Sequence, residues 1–391
     1  MRPETLTSRV GAGLSASDDA ASAVGDAARE ARDALGDAPV DLAFLFISAE
    51  HLPTADDALA MVAEELAPAH LLGCVAEGVV AHDRELEDGP GAAVWAASLP
   101  DAQIETFHTF ALGTDEGVAI GGFPPLDGAD LVTLLVDPFT FPSAGFLTKL
   151  NEEEDAAPLV GGLAAGGGEP ETQALFLGGQ VITEGAVGAV LRGVPVQTVV
   201  SQGCAPIGRD SVITSAEGNV VFELAGEPAL ERLRTDLGTL TAAEQQLAAR
   251  GGVLAGLVID ENRSEYLRGD YLMRGLIGVD EENGALAIGE PVRVGQTLRF
   301  HVRDARTADE DLHENLAAAL DGRSAAGALL FTCNGRGTNM FPDRDHDARV
   351  VSHALGGDAL AGFFCAGEIG PVGGKPFLHG FTATLAVFLD S

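Results

Sequence analysis

Near its end the chain reads AGFFCAGEIGPVGGKPFLHG, which sets the thiol of Cys365 three residues before the carboxyl of Glu368 and leads through a glycine-rich stretch to Lys375. Thirty residues earlier, FTCNGRGT closes an apolar run on Cys333 and continues into Asn334, Gly335, Arg336 and Gly337. Such groups could supply a nucleophile, a metal ligand, a ligand-binding pocket or only a tight turn. A nucleophilic thiol needs a base beside it and a third group to orient that base. His346, His353 and His379 surround these cysteines in sequence, but none has diagnostic spacing. A zinc site calls for paired ligands at short spacing, and the four cysteines (Cys74, Cys204, Cys333, Cys365) form no CxxC pair. No GxxxxGK[ST] loop is present, and GGLAAGGG lacks the strand–helix setting of a dinucleotide fingerprint. No cofactor is expected.

A pocket fits these residues best. In open α/β sheets, ligands sit beyond the C-terminal ends of strands. Gly335 and Gly337 would let backbone N–H groups approach an anion, and Arg336 could fork onto a carboxylate. A guanidinium, the ammonium of Lys375, the carboxylate of Glu368 and exposed amides together suit a zwitterion such as an amino acid. Each residue also has a plainer reading. A cysteine at a buried strand end is commonly a small hydrophobe, Glu368 could serve only loop amides, and Arg336 could be a solvated turn residue. The candidate set is Cys333, Asn334, Arg336, Cys365, Glu368 and Lys375. Cys74 and Glu77, Cys204 and Arg209 in SQGCAPIGRDS, and Arg303 in HVRD form a lesser set.

These residues need a scaffold, and the totals bound it. At 391 residues, 46% hydrophobic and 21% charged, the chain is long enough for two domains or two related halves and is globular in composition. The net charge of −36 comes from 59 acids against 23 basic residues, of which only Lys149 and Lys375 are lysines. That charge argues against nucleic acid and anionic membrane as partners. One Trp and two Tyr offer no stacking platform for single strands. The N-terminal residues hold no apolar run like that of a signal peptide, and no uncharged run approaches a membrane span. Reduced thiols in a cytoplasmic protein are the expectation.

The pattern predicts helices over 15–35, 54–66, 144–151, 227–250, 308–320 and 347–355. Strands are expected at 41–48, 71–74, 92–98, 104–110, 131–136, 253–259, 272–277, 298–302, 327–333, 362–365 and 380–389. Hairpins are expected at Gly178–Gly179 and around 217–219. NEEED (151–155) reads as an acidic surface stretch, and GGLAAGGGEPE as a loop. A repeat lies in the spacing. AFLFISAEH and ALLFTCNGR each end an apolar strand on a small nucleophile-type residue, Ser48 or Cys333. After a helix, LLGCVAEG and GFFCAGEIG each carry Cys-x-x-Glu, 26 and 32 residues after those positions. Internal duplication with two facing lobes follows.

At CNGRG and GFFCAGEIGPVGGKPFLHGFTATLAVF the chain resembles the FIST family. The match continues through VVSQGCAPIGRDSVITSAEGNVVFELAGEPALERL and YLMRGLIGVDEENGALAIGEPVRVGQTLRFHVRDA, covering most of 40–390. The resemblance implies a FIST N domain over 35–225 and a FIST C domain over 226–391. It also implies a sensory role toward a small ligand, with amino acids as candidates, and a signalling partner to carry the output; it supplies no catalytic residues. The expected fold is α/β (α+β), with two related lobes, sheets packed centrally and helices outside. The expected function is cytoplasmic ligand sensing in a pocket between the lobes, without catalysis. The rival is a cysteine-dependent hydrolase or transferase using Cys333 or Cys365, and an acidic docking scaffold is a third reading.

Overall fold

The computed structural model describes residues 7–115, 117–152 and 157–390. The chain forms two compact units: Met1–Val200 with Leu312–Leu378 and Thr382–Ser391, and Ser201–Asp311 with His379–Phe381.

Two sheets of the first unit share one plan. The first runs in the order Arg9–Ser15, Ala92–Ser98, Leu42–Ser48, His70–Ala76, Leu175–Leu177, Gln180–Ile182. The second runs Val196–Gln202, Thr382–Leu389, Ala325–Cys333, Leu360–Cys365, Val79–Ala81, Arg84–Leu86. In both, the third and fourth strands are parallel and an antiparallel strand lies beside the third. DLAFLFIS and GALLFTC are continuous apolar runs because these strands are covered on both faces.

Their inner faces meet in one apolar core, where Phe46 stacks on Phe363 with ring centres 4.9 Å apart and Trp95 meets Phe388 at 5.0 Å. Outer faces are covered by helices: Ala20–Leu35 and Ala55–Leu66 on the first sheet, His346–Leu355 with Leu312 and Leu316 on the second. Central sheets with helices outside are as the sequence predicts. The alternating glycines of RVGAGLS let Ala20–Leu35 lie almost on its strand. A Cβ on Gly13 would stand 2.0 Å from the Ala27 carbonyl oxygen.

The duplication holds at the level of strands, but the motif alignment shifts. Cys333 pairs with Cys365 in the second sheet, whereas Ser48 pairs with Ala76 and Cys74 with Phe46 in the first. The register counterpart of Cys365 is therefore Ala76, two residues from Cys74. Side chains alternate with period two, so both thiols still face the core. A second correction follows from that core. Among the described residues, Phe, Trp, Leu and Val side chains from both sheets pack in the space between those faces, where the sequence reading expected a ligand.

A third sheet runs Lys375–His379, Glu368–Val372, Leu159–Leu163, Leu131–Val136, Ala186–Arg192, Gln103–Thr114, Gly117–Gly121, with helix Ser143–Leu150 packed on it. Two stretches predicted as loops are strands here. GGL (161–163) completes Leu159–Leu163, and the segment after Glu368 is a hairpin turning at Gly373–Gly374. Glycine is needed at 162 because a Cβ there would stand 2.3 Å from Cys365 Sγ. Asn151 ends the Ser143–Leu150 helix, while 153–155 of the acidic stretch lie outside the described residues.

In the second unit, strands Thr297–Arg303, Ser211–Glu217, Val220–Leu224, Ala285–Ile288, Tyr271–Asp280 and Val253–Val258 form a ring that closes from the last to the first. Ile213, Leu257, Leu286 and Phe300 fill it, capped by Leu230 and Leu233 of helix Ala229–Gly238. The single helix predicted over 227–250 is two. Thr241 and Glu244 form a reciprocal capping box that starts Ala242–Gly251 anew.

Candidate functional site

The neighbouring parallel strands that end at Cys333 and Cys365 bring the main candidates to one sheet edge. Asn334 N donates to the Cys365 carbonyl at 3.0 Å, and the chain turns at once, with Arg336 N bonding back to the Cys333 carbonyl at 2.8 Å. This turn carries Arg336 inward. Its side chain is 0% exposed, and Nε and Nη2 donate to Asp347 Oδ2 and Oδ1 at 2.7 and 2.8 Å. Arg336 is therefore not a solvated turn residue, and two of its nitrogens already fork onto the protein's own carboxylate. Asp347 sits in the first turn of His346–Leu355. It also accepts from Thr332 Oγ1 at 2.8 Å and meets His346 Nδ1 at 3.0 Å. Burial would raise its pKa, but the Arg336 charge and hydrogen bonds outweigh burial and hold the carboxyl well below the usual range. The His346 ring stacks on Phe341, with centres 3.5 Å apart, and Phe341 lies 5.2 Å from the Arg336 guanidinium carbon.

Glu368 opens the strand after Cys365 and is fully buried. Its Oε2 accepts from Thr382 N at 3.2 Å and from Thr382 Oγ1 at 2.8 Å. Burial pushes the carboxyl up to about 8; the Thr382 bonds, the nearby Cys333 thiol and the Arg336 charge pull the other way without restoring the ordinary value. Three buried polar atoms in this neighbourhood have no hydrogen-bond partner among the described residues: Arg336 Nη1, Glu368 Oε1 and Asn334 Oδ1.

The other candidates divide. Burial pushes the Cys365 and Cys74 thiols well up, and both are part of the apolar core, which makes them packing residues. Glu77 is exposed and accepts a short hydrogen bond from Asn334 Nδ2. Lys375 stands on an exposed hairpin with Nζ donating to the Asn151 carbonyl at 3.0 Å, not in the buried cluster. Cys204, Arg209 and Arg303 belong to the second unit. There Cys204 pairs with Arg303 across adjacent strands and packs with Leu254, Tyr271 and Met273. The Arg303 guanidinium lies 4.5 Å from the Phe381 ring centre, and Arg209 is exposed.

Sequence reasoning missed Asp347 and Glu85. Asp347 was legible only as a helix-starting acid. Glu85, in HDRELED, accepts from Ala348 N at 3.0 Å, and burial with the charge of Asp347 pushes its pKa up to about 8. Neither pairing has a local sequence signal. Among the described residues no group of three or more His, Cys, Asp or Glu could hold a metal ion, and no helix is long and apolar enough to cross a membrane.

Comparison with known proteins matches the FIST N domain to residues 41–227 and the FIST C domain to 229–371. An uncharacterized protein of Mycobacterium tuberculosis is 46% identical over 386 residues, covering 98% of this chain and 100% of its own length. An uncharacterized protein of Mycobacterium bovis is 44% identical over 387 residues, covering 98% and 99%. The chain belongs to the FIST family, whose domains are sensory modules associated with small-ligand binding.

Proposed function

We propose that this chain senses a small zwitterion, an amino acid by its chemistry, held beside the ends of the Cys333 and Cys365 strands and not chemically altered. The observation that carries this reading is the trio of unpartnered buried atoms on Arg336, Glu368 and Asn334. A half-satisfied buried polar network costs stability, and a ligand that completes it recovers that cost on binding. Arg336 Nη1 offers a donor to a carboxylate, and Glu368 Oε1 offers an acceptor to an ammonium. Since the Glu368 carboxyl titrates at about 8, it is mostly protonated near pH 7 and ionises when an ammonium arrives. Binding should then release a proton and tighten as pH rises toward 8. Calorimetry against an amino-acid panel, repeated in buffers of different ionisation enthalpy, reads both effects. Glu368→Gln keeps the shape and should lose the proton release and at least tenfold in affinity. Absence of any binder at millimolar concentration from the folded protein would overturn the proposal.

One observation favours a second reading. Cys333 is the thiol of the cluster at the margin of exposure, and it lies near a carboxyl whose pKa suits proton transfer near neutrality. A thiol-dependent transferase or hydrolase would show fast iodoacetamide labelling at Cys333 near pH 7, abolished in Cys333→Ser; slow labelling removes this reading. Four cysteines without a disulfide among the described residues suit a reducing, cytoplasmic setting. The signal output is proposed to pass through a partner protein.

A further inference from the structure

We infer that the third sheet of the first unit carries a separate binding site for an alkyl carboxylate, a fatty-acid-like anion with its tail in an apolar pocket and its head at Lys149. The pocket has a volume of about 850 Å³ and is walled by Ile120, Phe123, Pro124, Phe146 and Leu150, with Lys149 at its edge. This volume lies in the range of small-molecule sites. Its floor is an aromatic cluster in which Phe123 meets Phe107 and Phe146 edge to face at 5.4 and 4.9 Å. The opening is apolar too, since Val118 on the edge strand Gly117–Gly121 is 62% exposed. Large exposed aliphatics beside a preformed apolar hollow mark a place where apolar matter is received.

Charge selects the head group. In a chain with 59 acids and two lysines, one lysine stands at this pocket. Lys149 lines the pocket, and Lys375 donates to the carbonyl of Asn151, two residues further on. Everywhere else the positive charge is arginine. Lys149 Nζ also meets Glu152 Oε2 at 2.6 Å, but that pair is exposed, and an incoming carboxylate competes with Glu152 for the same ammonium. A cationic or neutral head gains nothing from Lys149. The site owes nothing to the Arg336–Glu368 cluster, so either proposal can fail alone.

The test uses the full chain and the monomeric anions octanoate, decanoate and dodecanoate, followed by calorimetry. One equivalent should bind, tightening about fourfold per added methylene until the pocket is full. Dodecyltrimethylammonium and dodecanol should bind about two- to fivefold more weakly than dodecanoate, the range of an exposed ion pair. Gly145 lines the pocket, and a Cβ on it meets no atom within 4 Å, so Gly145→Trp can fill the space in a folded protein. That variant should lose dodecanoate binding at least tenfold with its melting temperature intact. Lys149→Glu should weaken dodecanoate and leave dodecanol unchanged. The proposal falls if no carboxylate saturates, if head-group charge makes no difference, or if Gly145→Trp binds as well as the parent.

Discussion

Arg336 carries a full charge at a position with no exposure, and Asp347 is what makes that tolerable. Removing one partner of a buried pair leaves the other charge uncompensated, at a cost of about 3–5 kcal/mol, whereas replacing both by apolar groups often costs little. Asp347→Asn should therefore lower the urea midpoint sharply. Arg336→Met combined with Asp347→Leu should be less destabilised than either single change. Additive losses in the double variant would show that the two residues act separately. This pair also explains why the site was only half legible. The strand ends at Cys333 and Cys365 could be read from apolar runs, and their adjacency from the parallel repeat. The partner of Arg336 lies eleven residues on, in a helix whose first turn carries acids for ordinary reasons, and no spacing rule distinguishes Asp347 from its neighbours.

Helix His346–Leu355 begins without a local cap. Asp345 occupies the N-cap position in a left-handed conformation, and its side chain makes no capping bond. Glu85, from the short strand Arg84–Leu86, fills that role by accepting from Ala348 N, while Asp345 Oδ1 accepts from Glu85 N at 2.8 Å. The hairpin that follows His70–Ala76 thus fastens a helix more than 250 residues away. Loss of a helix cap costs about 1 kcal/mol. Glu85→Ala should lose that much and speed amide exchange in the first turn of this helix, and Glu85→Gln, which keeps the acceptor, should restore slow exchange. Unchanged exchange in Glu85→Ala would refute the capping role. At this scale many covered strands and most helices were visible in the sequence, because burial on both faces writes uninterrupted apolar runs, but the largely buried Arg9–Ser15 and Ala186–Arg192 were not predicted. The hairpins 79–86 and 368–379 were not visible. Their strands are three to five residues long, and those of 368–379 also carry glycine and proline; both hairpins are set by partners distant in the chain.

Across the whole molecule, two effects of acidity act together and can be separated by salt. Glu85 and Glu368 both titrate at about 8, far above an ordinary glutamate at 4.5. Between those values the folded chain holds two protons that the unfolded chain has lost, so stability falls as pH rises through that window. The slope reaches about 1.4 kcal/mol per pH unit for each group and vanishes below the unfolded value, where both states are protonated. The net charge of −36 adds repulsion between surface carboxylates. Salt screens exposed charges over about 10 Å at 0.1 M and affects buried ones far less. Urea midpoints measured from pH 5 to 8 in 20 mM and 500 mM sodium chloride should both decline toward pH 8, with the high-salt series lying higher. Substituting Gln at both Glu85 and Glu368 should remove the decline from the high-salt series, leaving a rise up to about pH 6.5 from His301, whose burial lowers its pKa to about 4 so that only the unfolded chain protonates in that window. A decline that salt abolishes in the parent protein would assign the whole effect to the surface and remove the buried carboxylic acids from the account, and with them the proton release expected when Glu368 meets an ammonium.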